Sequence, residues 1–497
     1  MKDKCLIIGA GMGGVATALR LAHLGYQVEV YEKLPRPGGR ANLIEDAGFR
    51  VDPGPTILVM KETFDETYQA VGENLDKRVP FIQLDPNYRI YFHDKTHIDL
   101  YASMPRIAAE LERVEPGAGE RLFQFLGQNA LKYQLGMGFV DRNFDSLFDL
   151  LDFKAAQTLL RTKAAQKLYS HVSDYFKSDK LRKAFSFHSM FLGLSPFDAL
   201  SIYSMITYAD LARGMYYPMG GLHRLVEDMV ALAEARGAAF HFDAPVSKIL
   251  IENGRTVGIQ LENGDKITGH TVIANADLPY VYTDLVGDQV RRRISNRKLA
   301  GMDYACSGYL LYLGLNRTYP KMRHQALYFA DDYRANLDAI FKTYTLPEDP
   351  SFHLNNPSLT DSSVAPDGHT LLYLLAPMPN LIADIDWKNA AKTIREGLIS
   401  KLEGIVDPDI RKHIVWQREF TPMDFKTQYN AVLGTAFGSL SHKMTQSAVL
   451  RPHNLARDIP GLYFAGQGTY PGIGMPMVLL SAKLVVERIV GSRSGRT

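Results

Sequence analysis

The chain has 497 residues, with 56 Lys and Arg against 54 Asp and Glu, and 10% of its residues are aromatic. That length allows about three domains of ordinary size with ample core, and the balanced charge argues against a dedicated nucleic-acid binder. Two cysteines, Cys5 and Cys306, give neither a disulfide framework nor metal-ligand spacing, so no metal is expected and the chain reads as intracellular and reduced.

Cys5 to Ile8 is short, apolar and partly β-branched, which predicts a buried strand. From Gly14 the apolar positions Val15, Ala18, Leu19 and Ala22 take helical spacing. Gly25 stands where a helix C-cap would be, and Gln27 to Glu32 alternates as a second strand. Strand, Gly9-x-Gly11-x-x-Gly14, helix, strand is the order that cradles a dinucleotide. The first glycine makes the tight turn, the second lets backbone approach a pyrophosphate, and the third allows close helix–strand contact. Glu32, at the end of the second strand, is placed to accept hydrogen bonds from an adenosine ribose. A secretory signal is the competing reading, since Lys2 and Lys4 precede the apolar run. It fails because the run is broken by glycine and flows directly into a second strand.

Pro35 to Leu58 carries two glycine–proline clusters and predicts loop with short strands. Asn87 to Tyr101 predicts two strands around the turn His93-Asp94-Lys95-Thr96. From about Pro105 to Ala212 the pattern is helical and rich in Leu and Phe. A helix from Leu222 to about Arg236 follows, then strands joined at Asn253-Gly254 and Asn263-Gly264, the strongest short hairpin signals. Thr271 to Asn275 is a further strand, and residues 286–454 mix strands and helices. The longest uncharged run, Ile459 to Ala482, carries Pro460, Pro471 and Pro476 among five glycines and cannot form a regular spanning helix.

The first glycine motif, Gly38-Gly39-Arg40 and the closing glycine-rich stretch together resemble the two-dinucleotide-fold flavoproteins of the amine-oxidase type. "RKAFSFHSMFLG", "GTAFGSLSHKMTQSAVLRPHN" and "AGQGTYPGIGMPMVLLSAK", with "NPSLTDSSVAPDG" and "LLYLLAPMPN", strongly resemble the bacterial-type phytoene desaturases and the dehydrosqualene desaturases, across essentially the whole chain. The resemblance implies an α/β fold with two dinucleotide-binding-type units. Residues 1–75, 214–285 and 455–497 would form a discontinuous, Rossmann-like FAD domain, 76–104 and 286–454 a substrate domain, and 105–213 a helical cap. It further implies FAD, with Gly9, Gly11, Gly14 and Glu32 at the adenosine diphosphate, Gly39, Arg40 and Thr56 beyond the second strand, and the Val246 backbone at adenine. Gly466, Gly474, Met475 and Pro476 would flank the riboflavin half. One departure is Gln467, where many such flavoproteins carry an acidic residue.

The implied chemistry is removal of two hydrogens from adjacent carbons of a long apolar polyene, with oxygen or a quinone reoxidising the flavin. No catalytic side chain is nominated, and GxSxG, HExxH, CxxC and Walker motifs are absent. The alternatives are a related terminal oxidase or isomerase and, outside enzymes, a prenyl-chain escort on the same fold. A water-insoluble substrate implies monotopic contact with the inner face of the cell membrane from the cytoplasm. The helical region is the candidate surface, weighed equally against a plain helical cap. Arg291, Arg292, Arg293, Arg297 and Lys298 read as a solvated helix face, ahead of attraction to anionic lipid. His188 is expected to be a hydrogen-bonded core residue and Asp361 a turn or cap residue. Phe185, Phe187, Phe191 and Phe197 either line the channel or fill core; their spacing does not choose.

Overall fold

The computed structural model describes residues 3–144, 153–287, 293–447 and 450–494. At its centre lies β1 (Lys4–Ile8), apolar on both faces because both are covered. Cys5 and Ile7 pack on one side with Val15, Leu225 and Leu479. Leu6 and Ile8 pack on the other with Ile259, Val272 and Tyr282.

Helix α1 (Met12–His23) is buried along all but its last residue, which explains why nearly every side chain in it is small or apolar. Gly25, at φ +80, closes its C-terminus by donating to the carbonyl of Ala22 at 2.9 Å. Strand β2 (Gln27–Tyr31) then pairs in parallel with β1. The complete sheet has five parallel strands in the order Leu462–Phe464, Thr271–Ala274, β1, β2, Ala239–His241, so it draws on chain segments hundreds of residues apart. Helices His223–Glu234 and Met475–Ser494 pack against α1 in one hydrophobic cluster.

The predicted hairpins form an antiparallel sheet of Val246–Glu252, Arg255–Leu261 and Lys266–Thr268, with Asn253, Gly254 and Gly264 at positive φ in the turns. One strand was not foreseen. The sequence pattern puts the hairpin strands directly after the helix, but Ala239–His241 comes first and joins the parallel sheet, ahead of the strand that holds Val246. At three residues it is too short to show alternation, and Asp243 at φ +51 separates it from Val246.

A seven-stranded sheet makes the other half, in the order Ile414–Phe420, Ser307–Leu315, Thr370–Met378, Phe352–Asn355, Gln325–Phe329, Tyr88–Phe92, His97–Leu100. Ser307–Leu315 is buried throughout. Tyr309, Leu311, Leu313 and Leu315 face helix Trp387–Ile405, and Leu310 and Tyr312 face the opposite cluster. The expected helical region is present, from Met104–Val114 and Ala118–Val140 to Met205–Arg213, with its own aromatic core.

Candidate cofactor and substrate site

The glycine turn sits where β1 ends. Gly9 has φ +94, and its N–H donates to Tyr31 O at 2.8 Å. A Cβ on Gly14 would lie 2.1 Å from Gly9 O, so helix and turn touch only because no side chain is there. Ala10 N–H donates to Glu32 Oε2 at 2.7 Å, and Leu34 N–H to Oε1 at 2.9 Å. Burial pushes the Glu32 carboxyl above its usual range, while these two backbone donors pull the other way. Gly38 donates to Ala10 O at 2.8 Å and bridges to Gly11, which folds Gly38-Gly39-Arg40 back over the turn.

Asn275 was not singled out by the sequence, except as the end of a strand. Its Nδ2 donates to Gly9 O at 3.3 Å. A Cβ on Gly11 would come 2.8 Å from Nδ2, on Gly13 2.7 Å from Oδ1, and on Gly466 2.6 Å from Oδ1. One amide is therefore packed between the N-terminal and C-terminal glycine segments. Its position, at the carboxyl end of a central parallel strand, was the signal available.

Gly466 accepts no side chain for this reason, and its N–H donates to Ser481 Oγ at 3.1 Å. Gly474, at φ +98, leads into the last helix, whose first residue Met475 presents a backbone N–H at the positive end of the helix dipole, while Pro476 in the first turn leaves no N–H unpaired. Arg40 is drawn down from its ordinary range by burial, opposed by the nearby Asp277 carboxylate, and donates to Ala436 O. Burial pushes Asp277 up. Three side chains from the seven-stranded sheet hold the 53–56 loop by its carbonyls: Tyr312 OH on Pro53 (2.8 Å), Tyr373 OH on Gly54 (3.0 Å) and Gln325 Nε2 on Thr56 (2.8 Å).

These parts enclose one cavity of about 1010 Å³. Gly9, Gly11, Glu32, Gly39, Arg40, Thr56, Val246, Gly466, Gly474, Met475 and Pro476 all line it; Gly14 does not, and lies behind the turn as the close-packing glycine. The volume stands at the top of the ~300–1,000 Å³ range for small-molecule sites, and the cavity continues past the glycines into apolar walls. Leu135, Phe139, Leu159, Phe191 and Ile206 line that extension. Of the four phenylalanines, Phe191 lines the cavity. Phe185 and Phe187 are core, and Phe197 packs on Tyr169 under Arg334.

His188 is fully buried, bonded through Nε2 to Asp210 (2.9 Å) and Nδ1 to Thr207 (3.1 Å), a core histidine as expected. Asp361 caps residues 362–364 through Ser363 N–H and also accepts from Gly220 N–H at 2.7 Å. Cys5 is a core residue. Arg293, Arg297 and Lys298 are exposed; Arg291 and Arg292 lie outside the described residues. Among the described residues no helix is long and apolar enough to cross a membrane.

A dinucleotide cradle at the carboxyl ends of a parallel sheet, opening into a long apolar chamber, defines a flavin-dependent oxidoreductase class. The family model for flavin-containing amine oxidoreductases matches residues 12–490. The zeta-carotene-forming phytoene desaturase of Myxococcus xanthus is 38% identical over 98% of this chain and 94% of its own length. A 4,4'-diapophytoene desaturase of Methylomonas is 33% identical over 97% and 94%. An oxidoreductase from Methanosarcina mazei superposes with a TM-score of 0.65 at 18% identity, over 97% of this chain and 100% of that one. The chain belongs to the flavin-containing amine oxidoreductase family and, within it, to the carotenoid and phytoene desaturase family. It is an FAD-dependent oxidoreductase with a mixed α/β fold, and the glycine-lined cradle, where a Cβ at Gly11 or Gly466 would collide with Asn275 and force the glycine segments apart, fits FAD.

Proposed function

We propose that this enzyme is a carotenoid desaturase acting on phytoene or dehydrosqualene. The observation that carries the reading is the continuity of one cavity from the glycine cradle to walls of Leu, Ile and Phe in the helical region. When bound, FAD would supply the two-electron, two-proton acceptor for the two hydrogens whose loss leaves a conjugated double bond.

Every other requirement falls to the chain. Gly9 and Gly11 admit the pyrophosphate, Glu32 meets the adenosine ribose, and Val246 backbone meets adenine. Gly39, Arg40 and Thr56 lie along the flavin. Gly466, Gly474, Met475 and Pro476 hold the riboflavin half, the helix dipole favouring negative charge on the ring. Apolar walls orient the polyene and exclude water. The division into an FAD domain (1–75, 214–285, 455–497), a substrate domain (76–104, 286–454) and a cap (105–213) follows the two sheets and the helices, as a two-dinucleotide-domain flavoprotein would.

Entry from a lipid surface is supported by helix Phe153–Arg161. Its Leu159 lines the cavity, Leu160 is 81% exposed, and Lys163 and Lys167 stand close by in sequence. The cytoplasmic face of the cell membrane suits this arrangement, with oxygen or a quinone as acceptor. The test is co-expression with a phytoene-producing or a dehydrosqualene-producing pathway, reading the product spectrum. New longer-wavelength polyene bands are expected in one of them; unchanged precursor in both, from a protein that carries FAD, refutes the substrate class.

A further inference from the structure

Leu310, Leu375 and His353 stand in register on three neighbouring strands of the seven-stranded sheet, and all three line the cavity. Tyr373 lines it too, but its hydroxyl is spent on Gly54 O. His353 is therefore the polar interruption in a row of leucines, and its bonding fixes which way it faces chemically. Gln325 Nε2 donates to Thr56 O at 2.8 Å, and a carbonyl only accepts, so the amide oxygen of Gln325 must face the imidazole. That oxygen lies 2.5 Å from His353 Nε2, which therefore carries the ring hydrogen. Nδ1 is left with a bare lone pair and no partner among the described residues. Burial pushes the imidazole down to about 3, so the ring is neutral near pH 7 and the lone pair is available.

His353 lines the cavity, so a molecule that fills this wall would bury Nδ1; an acceptor buried without a donor is disfavoured, and a hydrocarbon polyene brings no donor. We propose that His353 Nδ1 accepts a hydrogen bond from an N–H or O–H group carried by the molecule that fills this wall of the cavity. Two sources share that chemistry: the ring N–H of the isoalloxazine, and a hydroxyl on the polyene. The inference rests on the proposed function, which supplies the flavin; phytoene and dehydrosqualene carry no hydroxyl, so the second source would be an oxygenated polyene of the same class.

The test uses purified full-length holoenzyme, its His353→Phe variant, which keeps a ring and loses the acceptor, and His353→Asn, which keeps an acceptor near the Nδ1 position. If the flavin is the source, His353→Phe weakens FAD affinity by about three- to tenfold and shifts the flavin absorption band without substrate, and His353→Asn recovers both. If the polyene is the source, flavin affinity and spectrum hold. The preference for a hydroxylated over an unhydroxylated polyene of equal length then falls by a similar factor, again recovered in His353→Asn. Affinity, spectrum and preference all within twofold of the parent enzyme in His353→Phe would overturn the assignment, as would a defect that His353→Asn fails to recover. A parent protein that takes up no FAD would instead remove the reading beneath it.

Discussion

Gly14→Ala adds one methyl group where the first helix touches the glycine turn of the cofactor cradle. The new carbon would stand 2.1 Å from Gly9 O, 3.1 Å from Asn275 Nδ2 and 3.2 Å from Asn275 Cβ. A relaxed carbon–oxygen contact is more than an ångström longer, and the atom in the way is backbone, which has no rotamer to escape into. The N-terminus of α1 would have to retreat from the turn, or the turn would have to open and release the bond from Asn275 Nδ2 to Gly9 O. Overpacking of this kind costs about 1–3 kcal/mol, against a gain of about 0.5–1 kcal/mol that alanine offers over glycine in a helix. The net loss falls on the turn proposed to receive the pyrophosphate. Gly404→Ala is the control, because it lies in helix Trp387–Ile405 with nothing within 4 Å of its Cβ. The assay is the ratio of flavin to protein absorbance after purification, with the thermal midpoint measured alongside. Gly14→Ala is expected to lose bound FAD and melt lower, while Gly404→Ala keeps its flavin and melts no lower than the parent. Parental flavin content and midpoint in Gly14→Ala would refute the packing argument.

Asn275→Ala should strip flavin more than it lowers stability, since it unpins the glycine segments from each other; flavin retention equal to the parent would contradict that role. Glu32→Ala removes acceptors from Ala10 and Leu34 N–H groups, so it should cost about 1–3 kcal/mol for each donor left buried and unmatched, besides weakening FAD; calorimetry that finds neither change would count against it. Acidification should also be destabilising. Burial holds His171, His324 and His353 down to about 3 and His442 well below its ordinary value, so each is protonated in the unfolded chain before it is in the folded one. Their contribution is complete above about pH 6.5 and is lost as the pH falls, at about 0.8 kcal/mol per histidine between pH 7.5 and 6. Asp52, pushed up to about 6 by burial, works in the opposite sense and offsets only about 0.4 kcal/mol over that range. A thermal midpoint that stays level or rises from pH 7.5 to 6 would show that these histidines do not govern the response.

What the sequence disclosed was whatever depends on neighbouring residues. Gly9, Gly11 and Gly14 announce themselves because the turn, the close approach and the helix contact all arise within six positions. The hairpins at Asn253-Gly254 and Asn263-Gly264 are legible for the same reason. Asn275 was missed because what makes it special is meeting Gly9 and Gly466, and neither lies near it in the chain. The tethers from Tyr312, Tyr373 and Gln325 to the 53–56 loop join residues more than 250 positions apart, which no periodicity reveals. Among the phenylalanines the deciding fact is the helix rotation at Phe191, set by tertiary packing and not by spacing.

The five-stranded parallel sheet also dictates a timetable. Its strands β1 and β2 are made hundreds of residues before its edge strand Leu462–Phe464. A nascent chain can close α1 onto β1 and β2 early, yet it carries a half-built sheet with an exposed edge until Leu462–Phe464 has been made. Asn275 must wait with only its N-terminal glycines for company until Gly466 leaves the ribosome. FAD therefore cannot meet its complete cradle until Gly466 has been made, and loading waits on that segment. A cell short of flavin would accumulate chains stalled at that step, with their apolar chamber unlined on one side and open to aggregation or to the nearest lipid.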